Sequence, residues 1–477
     1  MQEIRESYFP PGFSIFIARF LLSNLNIMKY FKPILIAGII LLSATSAYGQ
    51  WKNLIGKDLS NWEQLNGTAP FKLEKGVITG TTVVGSPNSF LCTKEKYGDF
   101  ILEFDTWFDP KMNSGVQIRS ESRPDYQNGR VHGYQVEMDP SDRAWSGGIY
   151  DEARRGWLYS LERNPEGRKA LKVGEWNHYR VEAIGNSIRT WVNGIPCADL
   201  VDDMTPSGFI AIQVHSIGDD NSRAGLQVKW KNMKIITKNP EKYKTPYSPV
   251  IPQVSFLTNK LTDREKAEGW RLLFDGVTSG GWMNARTGKF PENGWEIKND
   301  ELIVNPGTKK PGGGGDIVTV DKFTNFILVA DFKYSKGANS GIKYFVDTES
   351  DGGKNASIGC EYQVLDDRNH PDAKAGIDGN RTLAGLYDLI PPKNKRDNGI
   401  DQWNRAMIVV NGNKVQHWLN DNLTVEYERG TPEWKALVEK SKFKGMENFG
   451  LVREGRILLQ DHGNLVSFRN IKIKEIK

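Results

Sequence analysis

Between Phe209 and His215 the chain alternates strictly: Ile210, Ile212 and Val214 fall on one side of an extended segment, Gln213 and His215 on the other. Successive side chains of a strand point to opposite faces, so this is the pattern of a half-buried strand. Tyr134, Val136 and Met138 stand in the same relation to Gln135, Glu137 and Asp139. Such runs end on turn residues. Asn177 to Ile184 stops at Gly185-Asn186 and Ser187 to Val192 at Asn193-Gly194, and later the chain turns at Asn411-Gly412-Asn413 and Asn420-Asp421. Asn-Gly and related pairs supply the left-handed backbone that tight hairpins require. The pattern predicts an all-β protein in which two antiparallel sheets pack face to face, one of them presenting a concave polar surface.

Most of these landmarks occur twice, in the same order. Asn113-Ser114-Gly115-Val116 returns as Asn339-Ser340-Gly341-Ile342, Tyr134-Gln135-Val136 as Tyr362-Gln363-Val364, and Ile149-Tyr150-Asp151 as Leu386-Tyr387-Asp388. Trp191-Val192-Asn193 pairs with Trp418-Leu419-Asn420, and Gln213-Val214-His215 with Gln460-Asp461-His462. The offset drifts from 226 to 247 residues, which predicts two tandem jelly-roll β-sandwich domains, 50–237 and 258–477, with loop insertions. The linker, 238–257, is stiffened by Pro240, Pro246, Pro249 and Pro252.

Ahead of the first domain, residues 1–49 read as an upstream extension followed by a secretory signal from Met28. Lys29 and Lys32 form its basic start, Pro33 to Ala44 its apolar stretch, and Ala47-Tyr48-Gly49 a cleavage site before Gln50. The apolar stretch is shorter than the roughly 20 residues of a spanning helix. The expectation is therefore a periplasmic or secreted chain with no membrane span after cleavage.

Composition narrows the function classes. Among 477 residues, 48 Gly, 14 Trp, 16 Tyr and 21 Phe fit many short strands joined by turns. The net charge of +5 is spread along the chain without a basic stripe, so nucleic acid is not an expected partner. Cys92, Cys197 and Cys360 are too widely spaced for a metal-binding pair and fit ordinary buried strand positions. Pro311-Gly312-Gly313-Gly314-Gly315 lacks the Lys-Ser/Thr of a phosphate-binding loop, and no GxSxG, HExxH or EF-hand pattern occurs.

Chemistry is expected on the polar faces. The first copy offers Gln135, Glu137, Tyr150, Gln213, His215 and, beyond the Asn-Ser-Gly turn, Arg119. The second offers Lys343, Gln363, Tyr387, Asp388, Gln460 and His462. At the position aligned with Glu137 the second copy has Leu365, so its counterpart carboxylate is missing from the alignment. Trp191 and Trp418 are aromatics of the kind on which a sugar ring stacks. Asp219-Asp220-Asn221 and Asp366-Asp367-Asn369-Asp372 are acidic clusters with the ligand chemistry for a divalent cation such as Ca²⁺, although acidic loops are usually just solvated.

Phe274-Asp275-Gly276 with Trp282, Glu361-Tyr362-Gln363-Val364, Leu386-Tyr387-Asp388-Leu389-Ile390-Pro391-Pro392, His417-Trp418-Leu419-Asn420 and Gln460-Asp461-His462-Gly463 with Phe468-Arg469-Asn470-Ile471 resemble the 3-keto-disaccharide hydrolase domain, a family with a concanavalin-like, laminin-G-like β-sandwich. The likeness spans 258–477, and 51–237 resembles a divergent form. It implies an enzyme that cleaves 3-keto-glycosides supplied by a glycoside 3-dehydrogenase. The ketone acidifies the C2 hydrogen, so a base can remove it, the C1 substituent is eliminated, and water adds back. On that reading His215 and His462 are bases, Gln213 and Gln460 orient substrate or ring, and Glu137 is an acid with Asp388 as its counterpart. Arg119 or Lys343, or a metal on Asp139 or Asp367, would stabilise the enolate. Gln135, Tyr150, Trp191, Gln363, Tyr387 and Trp418 would bind the sugar. Two other readings are a non-catalytic tandem carbohydrate-binding or adhesion protein and a two-carboxylate glycosidase, which needs paired acids about 5–9.5 Å apart.

Overall fold

The computed structural model describes residues 51–306, 314–349, 356–446 and 448–476. The export signal and cleavage site expected within 1–49, and Pro311 to Gly313 of the glycine-rich stretch, lie outside them. Two tandem jelly-roll β-sandwiches follow one another along the chain.

In the first, a seven-stranded sheet runs in the order Gly156–Tyr159, Ile149–Glu152, His132–Met138, Ser114–Glu121, Gly208–Val214, Ser89–Tyr97, Trp62–Asn66. It packs on a nine-stranded sheet whose central strand, Phe100–Phe108, lies between Asn177–Ile184 and Gln227–Ile236. The alternation in the sequence decides what meets between them: Tyr134, Val136, Met138, Ile210, Ile212 and Val214 join Leu102, Phe104, Tyr179 and Val181 in one core. Each such large side chain contributes about 1.5–3 kcal/mol by leaving water, so the inward face is fixed and the opposite face is left for function.

The second sandwich repeats the plan. Trp282–Asn284, Ile317–Thr319, Arg456–Leu459, Asn339–Val346 and Cys360–Leu365 form its five-stranded sheet. An eight-stranded sheet built on Phe326–Tyr334 and Asn404–Asn411 covers it. The expected hairpin turns form where the sequence puts them: Asn193 and Gly194, and Asn420 and Asp421, all have positive φ, the geometry that matches strand twist in two-residue loops. All three cysteines are buried and unpaired. Among the described residues no helix is long and apolar enough to cross a membrane.

The linker is not a free spacer. Val254–Ser255 adds a parallel strand to Ile195–Val201 of the first sandwich, while Arg405 of the second stacks 3.8 Å over the Phe256 ring and bonds Ser255 O at 2.8 Å. Arg264 reaches back to Asp199 at 2.6 Å.

Candidate active site

On the outer face of the seven-stranded sheet, polar side chains of neighbouring strands are linked in series. Ser120 Oγ donates to Gln117 Oε1 (2.9 Å), Gln117 Nε2 to Gln135 Oε1 (2.6 Å), and Gln135 Nε2 to Glu137 Oε2 (2.9 Å). Asn113 Nδ2 closes the series on Glu137 Oε1 at 2.7 Å. Each amide is thereby turned so that its N–H points towards Glu137. The glycine of Asn-Ser-Gly makes this possible: a Cβ on Gly115 would overlap the Gln135 side chain. Glu137 is buried, and burial is the main reason its carboxyl is pushed up to about 7, helped by the Asp139 charge and opposed by the two amide bonds and Arg143.

Glu137, Gln135, Tyr150, Arg143, Trp157 and His215 line one cleft of ≈ 330 Å³. His215 Nδ1 lies 2.7 Å from Ser216 O; a carbonyl only accepts, so Nδ1 carries the proton of the neutral ring and Nε2 is left as its basic atom. Gln213 is fully buried on the same face, and neither its Oε1 nor its Nε2 has a partner. Beyond it the face becomes an apolar shelf of Phe90, Cys92, Val131, Phe209 and Ala211, so the surface is less uniformly polar than alternation implies.

The second sandwich corrects the sequence alignment. Gly115 pairs with Glu137 and Gln117 with Gln135; Gly341 pairs with Gln363 and Lys343 with Glu361. The next loop agrees, since Gly147 N bonds Glu137 O and Ala384 N bonds Gln363 O. Glu137 therefore corresponds in space to Gln363, and Gln135 to Glu361: acid and amide have exchanged places. The Tyr-Gln-Val match is two residues out of register, which is why a carboxylate looked absent. Glu361 fills that role, buried and raised in pKa by burial while Lys343 and Lys442 pull it down. Around it Tyr387 donates to Asp372 (2.8 Å), Arg381 bonds Asp372 (3.0 Å), and Lys442 Nζ sits 4.1 Å over the Tyr387 ring. The His370 and His462 rings are 5.8 Å apart. Gln460 and Gln363 each keep a buried Oε1 without a partner.

Several expected residues are brought neither to the cleft of Glu137 nor to the group around Glu361. Arg119 sits at a bulge with φ 46°, which breaks the alternation; its guanidinium bonds Gly98 O, Gly185 O and Asp99 at the end of the sandwich. Trp191 and Trp418 belong to the opposite sheets, where Trp191 packs against Arg189, and Trp418 against Val329 and Met407. Asp388 holds Arg381 Nε (2.6 Å) and Lys442 N (2.7 Å), an anchor for those two residues. Asp139 is bonded by Arg143 at 2.9 Å and Asp367 by Lys395. Among the described residues no three or more His, Cys, Asp or Glu side chains converge as a metal site. Asn113, Gln117, Arg143, Glu361, Arg381 and Lys442 were not among the expected residues, and Asp372 was expected only as part of an acidic cluster; Glu361 shares the strand face of Gln363, the one signal that pointed to it.

The model of the 3-keto-alpha-glucoside-1,2-lyase-like domain family matches the chain twice, over 50–236 and 269–474. The chain belongs to this family. A 3-keto-disaccharide hydrolase of Bacteroides thetaiotaomicron is 38% identical over 235 residues, covering 44% of this chain and 79% of that protein. Among solved structures, a candidate glycosyl hydrolase from Parabacteroides distasonis is 31% identical, covers 46% of this chain and 100% of its own, and superposes with a TM-score of 0.41. Two matches of the 3-keto-alpha-glucoside-1,2-lyase-like model account for the internal repeat: each sandwich is one copy of the domain.

Proposed function

We propose that the chain cleaves 3-keto-glycosides by elimination and hydration, with the first cleft as a reaction site. Family membership indicates a carbohydrate-cleaving, 3-keto-disaccharide-hydrolase-like role. The observation that carries the mechanism is Glu137, a carboxyl held near neutral pKa in the cleft that His215 also lines. A general acid serves best when its pKa lies close to the working pH.

In this mechanism His215 Nε2 takes the proton from C2, and the electron pair is delocalised onto the C3 oxygen. Arg143 and Tyr150, which line the same cleft, are suited to donate to that oxygen. As the enolate collapses, the C1–O bond breaks and the departing oxygen takes the Glu137 proton. Water then adds to C1 of the unsaturated ketone, giving its proton to the Glu137 carboxylate, while C2 regains a proton from His215; the free 3-keto sugar forms and both residues return to their starting states. In the second sandwich Glu361 and His462 would fill the same roles, with Lys343 beside Glu361. A glycoside 3-dehydrogenase would supply the ketone, and export by the segment 28–49 would place the reaction in the periplasm or outside the cell.

The test incubates the chain with a 3-keto-glucoside and with the parent glucoside, with and without a chelator, and follows aglycone release. Release from the keto substrate alone, lost in His215→Ala or His462→Ala, supports the reading and locates the active copy. Binding of both sugars without release would leave a tandem carbohydrate-binding protein.

A further inference from the structure

Between the two sandwiches lies a second cavity of ≈ 260 Å³, which shares Trp157 with the first cleft. Trp157, Phe256, Trp270 and Trp403 supply flat ring walls, and Met204 and Met407 fill the gaps. Such walls suit a planar, largely apolar molecule.

The cations in the lining are the second observation. All but one are neutralised by carboxylates: Arg154 by Asp151, Arg155 by Asp151 and Asp202 together, Arg163 by Asp421, Arg405 by Asp331, and Lys472 by Glu265. Arg469 is the exception among the described residues. Its guanidinium stacks 4.0 Å over the Trp403 ring, and its buried Nε has no hydrogen-bond partner. The nearby Asp331 is already held by Arg405, at 2.6 and 3.0 Å, and by Asn470 at 2.6 Å. A guanidinium keeps its charge under all ordinary conditions and matches a carboxylate in a two-point geometry.

We propose that this pocket binds a planar aromatic carboxylate, its ring against the tryptophans and its carboxylate on Arg469. The site is distinct from the cleft of Glu137 and does not depend on the reaction assigned there.

The test titrates the full chain with 4-hydroxybenzoate and with its methyl ester, by calorimetry and by quenching of tryptophan fluorescence. The expected result is saturable 1:1 binding in which the acid binds at least about tenfold more tightly than the ester, the scale of one charge-assisted contact. Arg469→Gln should abolish that preference while leaving ester binding, and Trp403→Leu should weaken both. Thermal melting of each variant checks that the fold is retained, and Arg469→Lys keeps the charge as a second variant that should preserve part of the preference. Absence of saturable binding at millimolar ligand, equal binding of acid and ester, or a preference that survives Arg469→Gln would overturn the proposal.

Discussion

Lys343 Nζ stands 3.8 Å from Glu361 Oε2, on the rung of the second sandwich where the first pairs Gln117 with Gln135. A charged pair has thus replaced an amide–amide hydrogen bond, and the acid has moved one rung along the sheet. The two carboxyls therefore stand at different positions on equivalent sheets. In the first, Glu137 is tuned by burial and amides; in the second, a cation tempers the same burial.

That difference is testable through Lys343. Its charge is the largest influence holding the Glu361 pKa down against burial, so Lys343→Met should push Glu361 further up. In a Glu137→Gln background, which isolates the second sandwich, any limb of the pH–rate profile due to Glu361 should move to higher pH. An unchanged profile would mean that Glu361 does not titrate in the reaction.

Glu137 should leave a mark on stability as well as on rate. Its folded-state pKa of about 7 lies above the ordinary value of 4.5, so the native state holds the proton more tightly than the unfolded chain. Its favourable contribution is then complete below pH 4.5 and is lost as pH rises through 7, a span on the order of 3 kcal/mol. Glu137→Gln should flatten that part of the stability–pH curve in urea unfolding, and should lower turnover at the first cleft by about 100-fold to 10,000-fold. A variant whose stability keeps the wild-type pH dependence would contradict the raised pKa.

How much of this was legible in the sequence depended on the kind of signal. Period-two alternation separated Ile210, Ile212 and Val214 from Gln213 because burial of one face is a property of the strand alone. The Asn-Gly turns were legible for the same reason. Pairing between strands was not: the Tyr-Gln-Val match aligns Gln135 with Gln363, whereas the ladder aligns Gln135 with Glu361. Register is set by hydrogen bonds to strands distant in sequence, and a shift of two keeps the same face inward, so hydrophobic pattern cannot detect it. Arg119 failed for a third reason, since a bulge with φ 46° resets the alternation on which its placement rested.

Arg119 accordingly makes a prediction of its own. Its three bonds tie the Gly98-Asp99 and Gly185 turns to the sheet end, and its side chain is almost wholly buried. Arg119→Ala strips two carbonyls of their donors, so a loss of about 2–4 kcal/mol is expected. The rate at saturating substrate should stay near wild type below the melting transition. A variant of unchanged stability with abolished turnover would return Arg119 to the reaction.

The last prediction concerns how the sandwiches hold together. Asp421, in a hairpin turn of the second, accepts from Ser160 N (2.9 Å) and Ser160 Oγ (2.8 Å) through one oxygen and from Arg163 Nε (3.0 Å) through the other. Ser160 directly follows the strand Gly156–Tyr159, whose Trp157 walls the first cleft. Asp421→Ala leaves that backbone N–H without its acceptor and Arg163 without its counter-charge, which should cost about 1–3 kcal/mol. Val254–Ser255 pairing and the Arg264–Asp199 bridge remain, so the halves should stay docked but unfold less cooperatively. Calorimetry should show a lower midpoint and a transition that broadens or splits, with Asp421→Asn recovering part of it. If the transition of Asp421→Ala is indistinguishable from wild type, this turn does not couple the two sandwiches, and contacts such as the strand pairing, the Arg264–Asp199 bridge and Arg405 on Ser255 and Phe256 must account for their union.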